Sequence, residues 1–504
     1  MAELTRPFPP GSYPAIVIGS GPGGLQVSYS LRRLGVRHAV LSADSSPGGM
    51  FRKWPFFQRL LSWTKPYATA ARGTPAYQRF DWNSLLGEEP ELTALAPTFM
   101  DGTSYFPSRP EMEANLAAFA ERAALEIRYE TPWESTRLLD GPAGTDRFAI
   151  ETSDGTYTTG TLILAVGVAE PYTPPGPGME LAYHYADVRP AETYADRRVL
   201  LIGKQNSGFE LANGLLPWAR QLILMSPSHA KLSVDTRSLV GVRARYVQPY
   251  EDHVLGGGVS ILDAAIDRVE RAGDGLDVFV RRTDGAGDLM MHVDDVVSAT
   301  GFVAPLRDLP DLGVTTFGAS RLPVVTPWWE SATVPGIFVA GTLSQAAKGL
   351  QRHGLPSNSG AVHGARYNAR VLARYLAETR FGIEVERPAV APDEVADRLL
   401  TELAEGPDVF HQRGYLARLL TVDPAGGFRD EGILPLAHIL DAGGADGVAA
   451  TLEADGSGAI YPILFTRKGG STAEHRIDPD PLARLDASDA RRAITDAVRR
   501  VTAA

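Results

Sequence analysis

The 504-residue sequence contains no cysteine. Disulfides, thiolate metal sites, cysteine nucleophiles and redox-active cysteine pairs are therefore excluded together. Basic charge is not in excess either: 49 Lys and Arg stand against 60 Asp and Glu, a formal net charge of -11. A chain of that balance lacks the basic face that nucleic acid or an anionic membrane requires. No apolar run approaches the roughly 20 residues of a membrane helix. The opening MAELTRPFPPGSYP lacks the charged and then apolar stretch of a secretory signal. No nucleic-acid and no membrane partner is expected, and the localisation expected is cytoplasmic. His184, His353 and His363 show no metal-ligand spacing, so no metal is expected.

Apolar residues make up 44% of the chain, enough for the two or three domains this length calls for. Ala15–Ile18 (AIVI) reads as a short buried strand, Leu25–Leu34 as a helix and Val36–Leu41 as a second strand, a βαβ opening. Arg109–Ala124 reads as a helix with Pro110 in its first turn, and Phe148–Thr152, Thr156–Thr158 and Thr161–Val166 as strands. AEPYTPPGPG then has the composition of a linker. Beyond it the pattern restarts, with Arg198–Ile202, Ser207–Leu216 and Gln221–Met225 forming a second βαβ unit. Strands at Val278–Arg281, Val293–Ser298 and Ile337–Ala340 precede a helix at Ala361–Leu376. From residue 382 the chain turns acidic and proline-rich, with helical periodicity at Ala396–Glu405 and a strand pair near Ala449–Leu452 and Ala459–Thr466.

Each βαβ unit carries glycines at its first turn. Gly19-Ser20-Gly21-Pro22-Gly23-Gly24 matches G-x-G-x-x-G between a strand and a helix. The first glycine permits the tight turn, the second lets a pyrophosphate approach the backbone, and the third lets helix and strand pack closely. The following strand ends at Ser42 where an acidic residue usually grips the ribose. Asp44 lies two residues on, and either Ser42 bonds the ribose or Asp44 swings in. The second turn, Gly203-Lys204-Gln205-Asn206-Ser207-Gly208, repeats the pattern with glutamine in the middle. Gln205 puts a side chain where the pyrophosphate should approach, so the nucleotide sits higher or takes a bond from the carboxamide, with Asn206 and Ser207 as further donors. Ser226, Ser228, His229 and Lys231, followed by Arg237, Arg243 and Arg245, offer donors for a 2'-phosphate. No acidic residue closes the strand Gln221–Met225, so NADPH is expected over NADH.

Together these residues resemble the two-dinucleotide flavoproteins that include the flavin-containing monooxygenases. Gly48 and Gly49 with Met50, Thr300 and Gly301 in SATGF, and Gly341 and Thr342 in IFVAGT look like the flavin contacts of that type. Ser359 and Gly360 open a helix, with His363 in its first turn, whose amides would stabilise negative charge at N1 and O2 of the reduced isoalloxazine. The stretch His184–Gly203 resembles a degenerate form of the segment that precedes the second site in those enzymes. A closer resemblance is to the FAD-dependent oxidoreductase domain-containing protein 2 family. It is carried by FDWNSLLGEEPEL (Phe80–Leu92), KLSVDTRSLVGVRA (Lys231–Ala244) and VHGARYNARVLARYL (Val362–Leu376), and runs from residue 13 to about residue 440. Animal members of that family enter the secretory pathway; this sequence shows neither a signal peptide nor an ER-retention tail, so only the flavoprotein chemistry is carried over.

The fold class implied is α/β: two Rossmann-like dinucleotide-binding domains, the FAD domain interrupted by an NAD(P)H domain, plus a C-terminal α+β module. The expected boundaries are 1–168 and 300–381 for FAD, 169–299 for NAD(P)H, and 382–504 for the module. FAD and NADPH are the implied cofactors. With thiol chemistry excluded, hydride passes from NADPH to flavin N5, and the reduced flavin adds O2 to give a C4a-(hydro)peroxide that oxygenates a small-molecule amine or sulfur nucleophile. Lys65 in LLSWTKPY is the candidate polar group near the flavin, with Thr64 beside it and Arg52 and Trp54 lining the same pocket. Arg352, in the glycine-bounded loop GLQRHG, is the candidate for holding an acidic substrate, and Trp328-Trp329 is expected to pack an interface. Two alternatives stay open: an NAD(P)H oxidase or reductase passing electrons to a partner protein or quinone, and a non-enzymatic, flavin-stabilised interaction protein. A homo-oligomer stays open as well.

Overall fold

An apolar run without alternation is buried on both faces of its sheet, and Ala15–Ile18, strand β1, has all four residues buried. It occurs in a computed structural model that describes residues 6–55, 59–140, 146–236, 241–253, 258–478, 485 and 487–502. Arg237 lies outside the described residues. The chain divides into two units, one made of Met1–Arg52, Ser62–Val168 and Ala304–Ala504, the other of Lys53–Leu61 and Ala169–Val303.

In the first unit β1 leads into helix α1 (Pro22–Arg33) and strand β2 (His38–Leu41). Helix α2 (Arg109–Arg122) starts at Ser108, whose side chain accepts from the Glu111 amide while Glu111 returns the bond to the Ser108 amide at 2.6 Å. Such a reciprocal cap is worth on the order of 1 kcal/mol. Strand β3 (Leu162–Leu164) pairs with β1 in parallel, Ile16 opposite Leu162.

The second unit is a seven-stranded sheet. Strand β4 (Arg198–Ile202), helix α3 (Asn206–Leu215) and strand β5 (Gln221–Ser226) form its βαβ unit, with β4 and β5 parallel. Strand β6 (Val259–Ala272) starts parallel to β5 and continues as one arm of an antiparallel meander with Gly275–Arg282 and Asp288–Val293. Strand β7 (Asp295–Ser298) pairs with the other side of β4. The apolar spacing of VSILDAAIDRVERA fits neither a clean period of two nor a helix, and this 14-residue strand has no counterpart in the sequence reading.

Returning to the first unit, strand β8 (Ile337–Val339) completes a parallel sheet of order β8-β3-β1-β2. Helix α4 (Val362–Phe381) runs a turn beyond the expected end and stops where Gly382, at φ 64°, supplies the left-handed C-terminal residue. The C-terminal module is an antiparallel sheet of six strands: β9 (Ala389–Val390), β10 (Leu416–Val422), β11 (Phe428–Pro435), β12 (Gly447–Ala454), β13 (Ile460–Lys468) and β14 (Ser471–Arg476), in the order β9-β11-β10-β12-β13-β14. Helices α5 (Val395–Glu405) and α7 (Ala487–Thr502) bury Leu399, Leu403, Ile494 and Val498 against Leu420 and Leu464 of that sheet. Trp328 stacks on Tyr375 with ring centroids 4.4 Å apart and meets His438 edge-on, while Trp329 is wholly buried against Tyr415. The tryptophan pair thus seals the module to the rest of the first unit. Among the described residues, no helix is long and apolar enough to cross a membrane.

Candidate functional site

The first glycine turn is fixed partly by packing and partly by the clearance a ligand needs. Gly19 has φ 113°, and a Cβ there would lie 2.5 Å from the Ala165 carbonyl oxygen. A Cβ on Gly24 would come within 1.9 Å of the Gly19 carbonyl oxygen, and one on Gly23 within 2.3 Å of Gly341 Cα. Gly21 differs. Its φ of -74° and ψ of -178° suit any residue, and an added Cβ would meet only Gly49 Cα, at 3.9 Å. Neither conformation nor packing demands glycine at 21; clearance for a ligand lying on the backbone does, and that is the requirement of a pyrophosphate. Gly48 donates its amide to the Ser20 carbonyl at 3.0 Å and Gly49 sits over Gly21, which brings the Gly48-Gly49-Met50 turn and Gly341 to the same cradle. Pro22 opens α1, whose first turn has no side-chain cap, unlike that of α2. Helix amides left this way are the groups that bind a phosphate. The residues present therefore fit a flavin dinucleotide.

The alternatives for the ribose narrow here. Ser42 is 1% exposed and its Oγ is bonded to Ser20 Oγ (2.7 Å) and accepts from the Asp44 amide (3.2 Å). Its hydroxyl ties the end of β2 to the glycine turn, whereas Asp44 stays half-buried.

The second turn repeats the first in detail. Gly203 has φ 120° with a virtual Cβ 2.5 Å from the Ala299 carbonyl oxygen, and a Cβ on Gly208 would lie 2.1 Å from the Gly203 carbonyl oxygen. At the middle position Gln205 has φ -108° and ψ -171°, extended like Gly21, and its side chain is exposed and caps nothing. The fold tolerates glutamine there without strain; only the clearance is lost. Ser207 lies half-buried in the first turn of α3.

Two expected nucleotide donors are already committed. Asn206 donates to the Gly241 carbonyl (3.0 Å) and accepts from the Arg243 amide (3.1 Å), so its carboxamide anchors that loop. Lys204 is buried, with its ammonium on Asp263 and on the Leu262 carbonyl (2.8 Å). Asp263 is the residue that sequence reasoning missed. It lies on β6, which places it opposite Ser226 at the end of β5, and it also pairs with the exposed His229. Ser226 Oγ donates to the Ser228 carbonyl, and Ser228 and Lys231 are exposed. An acidic group thus stands beside the expected 2'-phosphate donors, supplied by the neighbouring strand β6 and not by the strand where it was sought.

Of the expected flavin-side residues, Thr64 is wholly buried, bonded to Asp81 (3.0 Å) and Asn83 (3.0 Å) of the DWN segment. Lys65 is exposed, its ammonium 5.0 Å from the Trp63 ring centroid and 5.4 Å from that of Phe80. Arg52 bonds Ser45 and pairs with Glu113 in the first unit, while Trp54 belongs to the second. Thr300 and Gly301 also fall in the second unit, Thr300 bonded to Ser298 (2.7 Å) and the Gly301 carbonyl to His184 (2.9 Å). Gly341 is buried in the first unit and Thr342 is exposed.

Two expectations are corrected. The His363 ring is 1% exposed, enclosed by Trp82 (4.4 Å between centroids) and His411 (5.2 Å), so it presents no face to a nucleotide. Burial, with Arg366 and Arg413 adding to it, holds its imidazole well below the usual range and therefore neutral. Arg352 is paired with Glu474 on β14 and lies over Phe465, because the loop 349–354 docks on the C-terminal sheet. It does not reach toward the glycine turns as a substrate anchor. Ser359 is also buried, its hydroxyl held by Gln412 and Asn368, while Gly360 remains partly exposed at the uncapped start of α4.

Two glycine-turn βαβ units, one in each unit of the chain, with the first discontinuous around the second, define a two-dinucleotide-domain FAD flavoprotein. Residues 16–341 match the family described as Pyridine nucleotide-disulphide oxidoreductase, and the chain belongs to that family. It is 25% identical over 432 residues to the FAD-dependent oxidoreductase domain-containing protein 2 of Mus musculus, a match that covers 80% of this chain and 64% of that protein. The chain thus spans somewhat under two thirds of its curated relative's length. Among solved structures it is similar to the bacillithiol disulfide reductase Bdr of Staphylococcus aureus (TM-score 0.56, 16% identity) and to a flavin-containing monooxygenase of Stenotrophomonas maltophilia (TM-score 0.53, 21% identity). Each of these covers 73% of this chain and 99% of the other. At these identities the likeness is one of fold.

Proposed function

We propose that this chain is an NADPH-dependent flavin monooxygenase that oxygenates a small-molecule amine or sulfur nucleophile. The observation that carries the reading is the pair of matching glycine turns in a sequence with no cysteine. A chain built to bring a nicotinamide and a flavin into use, yet without a thiol, has no means of running the disulfide reduction of its family's name. Bound FAD supplies the carrier that takes two electrons from NADPH and delivers them to dioxygen.

The chain's own residues do the rest. The uncapped N-termini of α1 and α3 offer amides to the pyrophosphates, and the uncapped start of α4 favours negative charge on the reduced ring. The ammonium of Lys65, held near two aromatic faces, is a cation that an oxygen-bearing substrate or the ring's polar edge can meet. Its location in the first unit, beside the DWN segment, supports that role.

The test is product analysis. Purified protein with FAD, NADPH and isotopically labelled dioxygen is offered a panel of amines and thioethers. Label in an N-hydroxy or S-oxide product, with matching NADPH consumption, is the expected result. NADPH consumption that ends wholly in hydrogen peroxide, or in reduced quinone, refutes the monooxygenase assignment.

A further inference from the structure

The C-terminal module lies beyond the matched residues 16–341, yet one of its side chains is inserted behind the first glycine cradle. Gln412, just after α6 (Pro407–His411), is 0% exposed. Its side-chain amide donates to Ser359 Oγ (3.1 Å) and the Gly364 carbonyl (3.1 Å), and also meets Asn368 Oδ1. Asn368 in turn donates to Ser359 Oγ (3.0 Å) and Ser344 Oγ (3.3 Å). Ser344 Oγ shares its proton between the Gly341 carbonyl (2.7 Å) and the Ser359 carbonyl (3.0 Å). Gly341 backs directly onto Gly23 of the first glycine turn. One residue earlier, the His411 carbonyl accepts from Asn358 at 2.9 Å, and a Cβ on Gly364 would lie 2.2 Å from the Asn358 carbonyl oxygen. A continuous buried path of hydrogen bonds and close packing therefore runs from Gln412 to the pyrophosphate turn and to the first turn of α4.

We propose that the C-terminal module is an integral part of the flavin site and that Gln412 is its positioning residue. It holds the start of α4 and the Gly341 turn in the arrangement that receives the isoalloxazine. The proposal rests on the reading that this cradle takes FAD. Buried hydrogen-bond networks of this kind fix one geometry when every member is satisfied. Gln412 supplies donors that no neighbour replaces: without them the Asn368 oxygen and the Gly364 carbonyl lose a partner, and α4 can shift relative to Gly341.

The experiment compares wild type, Gln412→Met, Ser344→Ala and, as a control, Leu464→Ala, which opens the module's own core and removes no member of the hydrogen-bond network. FAD dissociation constants are read by flavin fluorescence on the apoprotein, midpoint potentials by redox titration, and Tm by calorimetry. Gln412→Met is expected to weaken FAD at least tenfold. It is also expected to weaken the reduced form tenfold more than the oxidised, a lowering of the midpoint by about 30 mV for a two-electron couple. Ser344→Ala, which cuts the next link while keeping Gln412, moves both in the same direction, and Leu464→Ala lowers Tm with the potential unmoved. An FAD affinity within twofold of wild type in Gln412→Met overturns the proposal. So does a potential shift in Leu464→Ala as large as in Gln412→Met, or a Ser344→Ala protein that behaves as wild type. A wild-type protein that binds no FAD defeats the flavin reading itself and this proposal with it, whereas wild-type binding with unaffected variants defeats only the positioning role.

Discussion

Replacing Gln205 by glycine should tighten NADPH without cost to the fold. The backbone at 205 is extended, with φ -108° and ψ -171°, so neither residue is strained there. The glutamine side chain is exposed and makes no capping bond, so its removal forfeits no contact within the protein. Glycine at a helix N-cap is slightly favoured over an uncapping side chain, and the net change in stability stays under about 0.5 kcal/mol. What changes is clearance. In the first turn the equivalent glycine has no protein atom within 3.9 Å of where its Cβ would be, and the ligand has that room. Restoring it lets one backbone amide of α3 reach the pyrophosphate directly. A hydrogen bond to a charged group contributes about 1.5–3 kcal/mol, which is roughly 10- to 150-fold in Kd. Isothermal titration of the oxidised holoprotein with NADP+, which carries the same pyrophosphate and cannot reduce the flavin, measures this, with Gln205→Ala expected between wild type and Gln205→Gly. An unchanged or weaker Kd in Gln205→Gly would refute the clearance argument, since it would mean that the carboxamide itself holds the phosphate or that no nucleotide lies on this turn.

Gly208→Ala puts a methyl 2.1 Å from the Gly203 carbonyl oxygen, an overpacking cost of about 1–3 kcal/mol; reduction by NADPH should be lost while the FAD content, read from the visible spectrum, is retained. Gly24→Ala, with its clash at 1.9 Å, should instead yield protein poor in FAD. Asp263→Asn leaves the buried Lys204 ammonium without its counter-ion, which should lower Tm, and makes the surroundings of Ser226 and His229 more positive, which should raise the ratio of NADPH to NADH utilisation in kcat/KM by roughly tenfold, or about 1.4 kcal/mol; an unaltered ratio places the 2'-phosphate elsewhere. Arg198 hydrogen bonds, aided by its backbone amide, hold the Asp294 carboxyl down to about 2. A carboxyl depressed in the folded state stabilises in full above its unfolded value and loses that contribution as pH falls through the folded one. Asp294→Asn should therefore cost about 1 kcal/mol at pH 7, allowing for solvent screening, and the gap from wild type in urea denaturation should close between about pH 4 and pH 2.

Much of the architecture was legible because its signals are local. Gly19, Gly24, Gly203 and Gly208 sit between short apolar strands and helices, and each is held by a contact within its own turn or with the adjacent strand. The identity of the middle residue was readable, but not its harmlessness, since only the backbone angles show that Gln205 leaves the turn intact. Asp263 escaped notice because β6 brings it to Ser226 from a stretch whose apolar spacing fits no single period. In the C-terminal sheet, the buried strands β12 and β13 were visible as apolar runs, while Ser471–Arg476 was not, because every one of its residues is exposed. The enclosure of His363 could not be read from its position: the first turn of α4 looks like a nucleotide-facing helix start, but His411 and Trp82 enclose that side chain from segments far away in the sequence.

The allocation of Lys53–Leu61 to the second unit has a practical corollary for anyone who would exchange parts between relatives. The backbone passes from one unit to the other at Arg52/Lys53, Leu61/Ser62, Val168/Ala169 and Val303/Ala304. Within the second unit the Arg59 amide is bonded to Glu210 at 3.1 Å, and Arg245 reaches the Leu60 carbonyl at 3.0 Å. A chimera grafted only at the two later joints would pair a transplanted Glu210 and Arg245 with a foreign tether. Two clips by a protease at those same joints would leave the excised piece without its companion segment Lys53–Leu61, so the portable unit is a discontinuous one that must be moved as two stretches of gene.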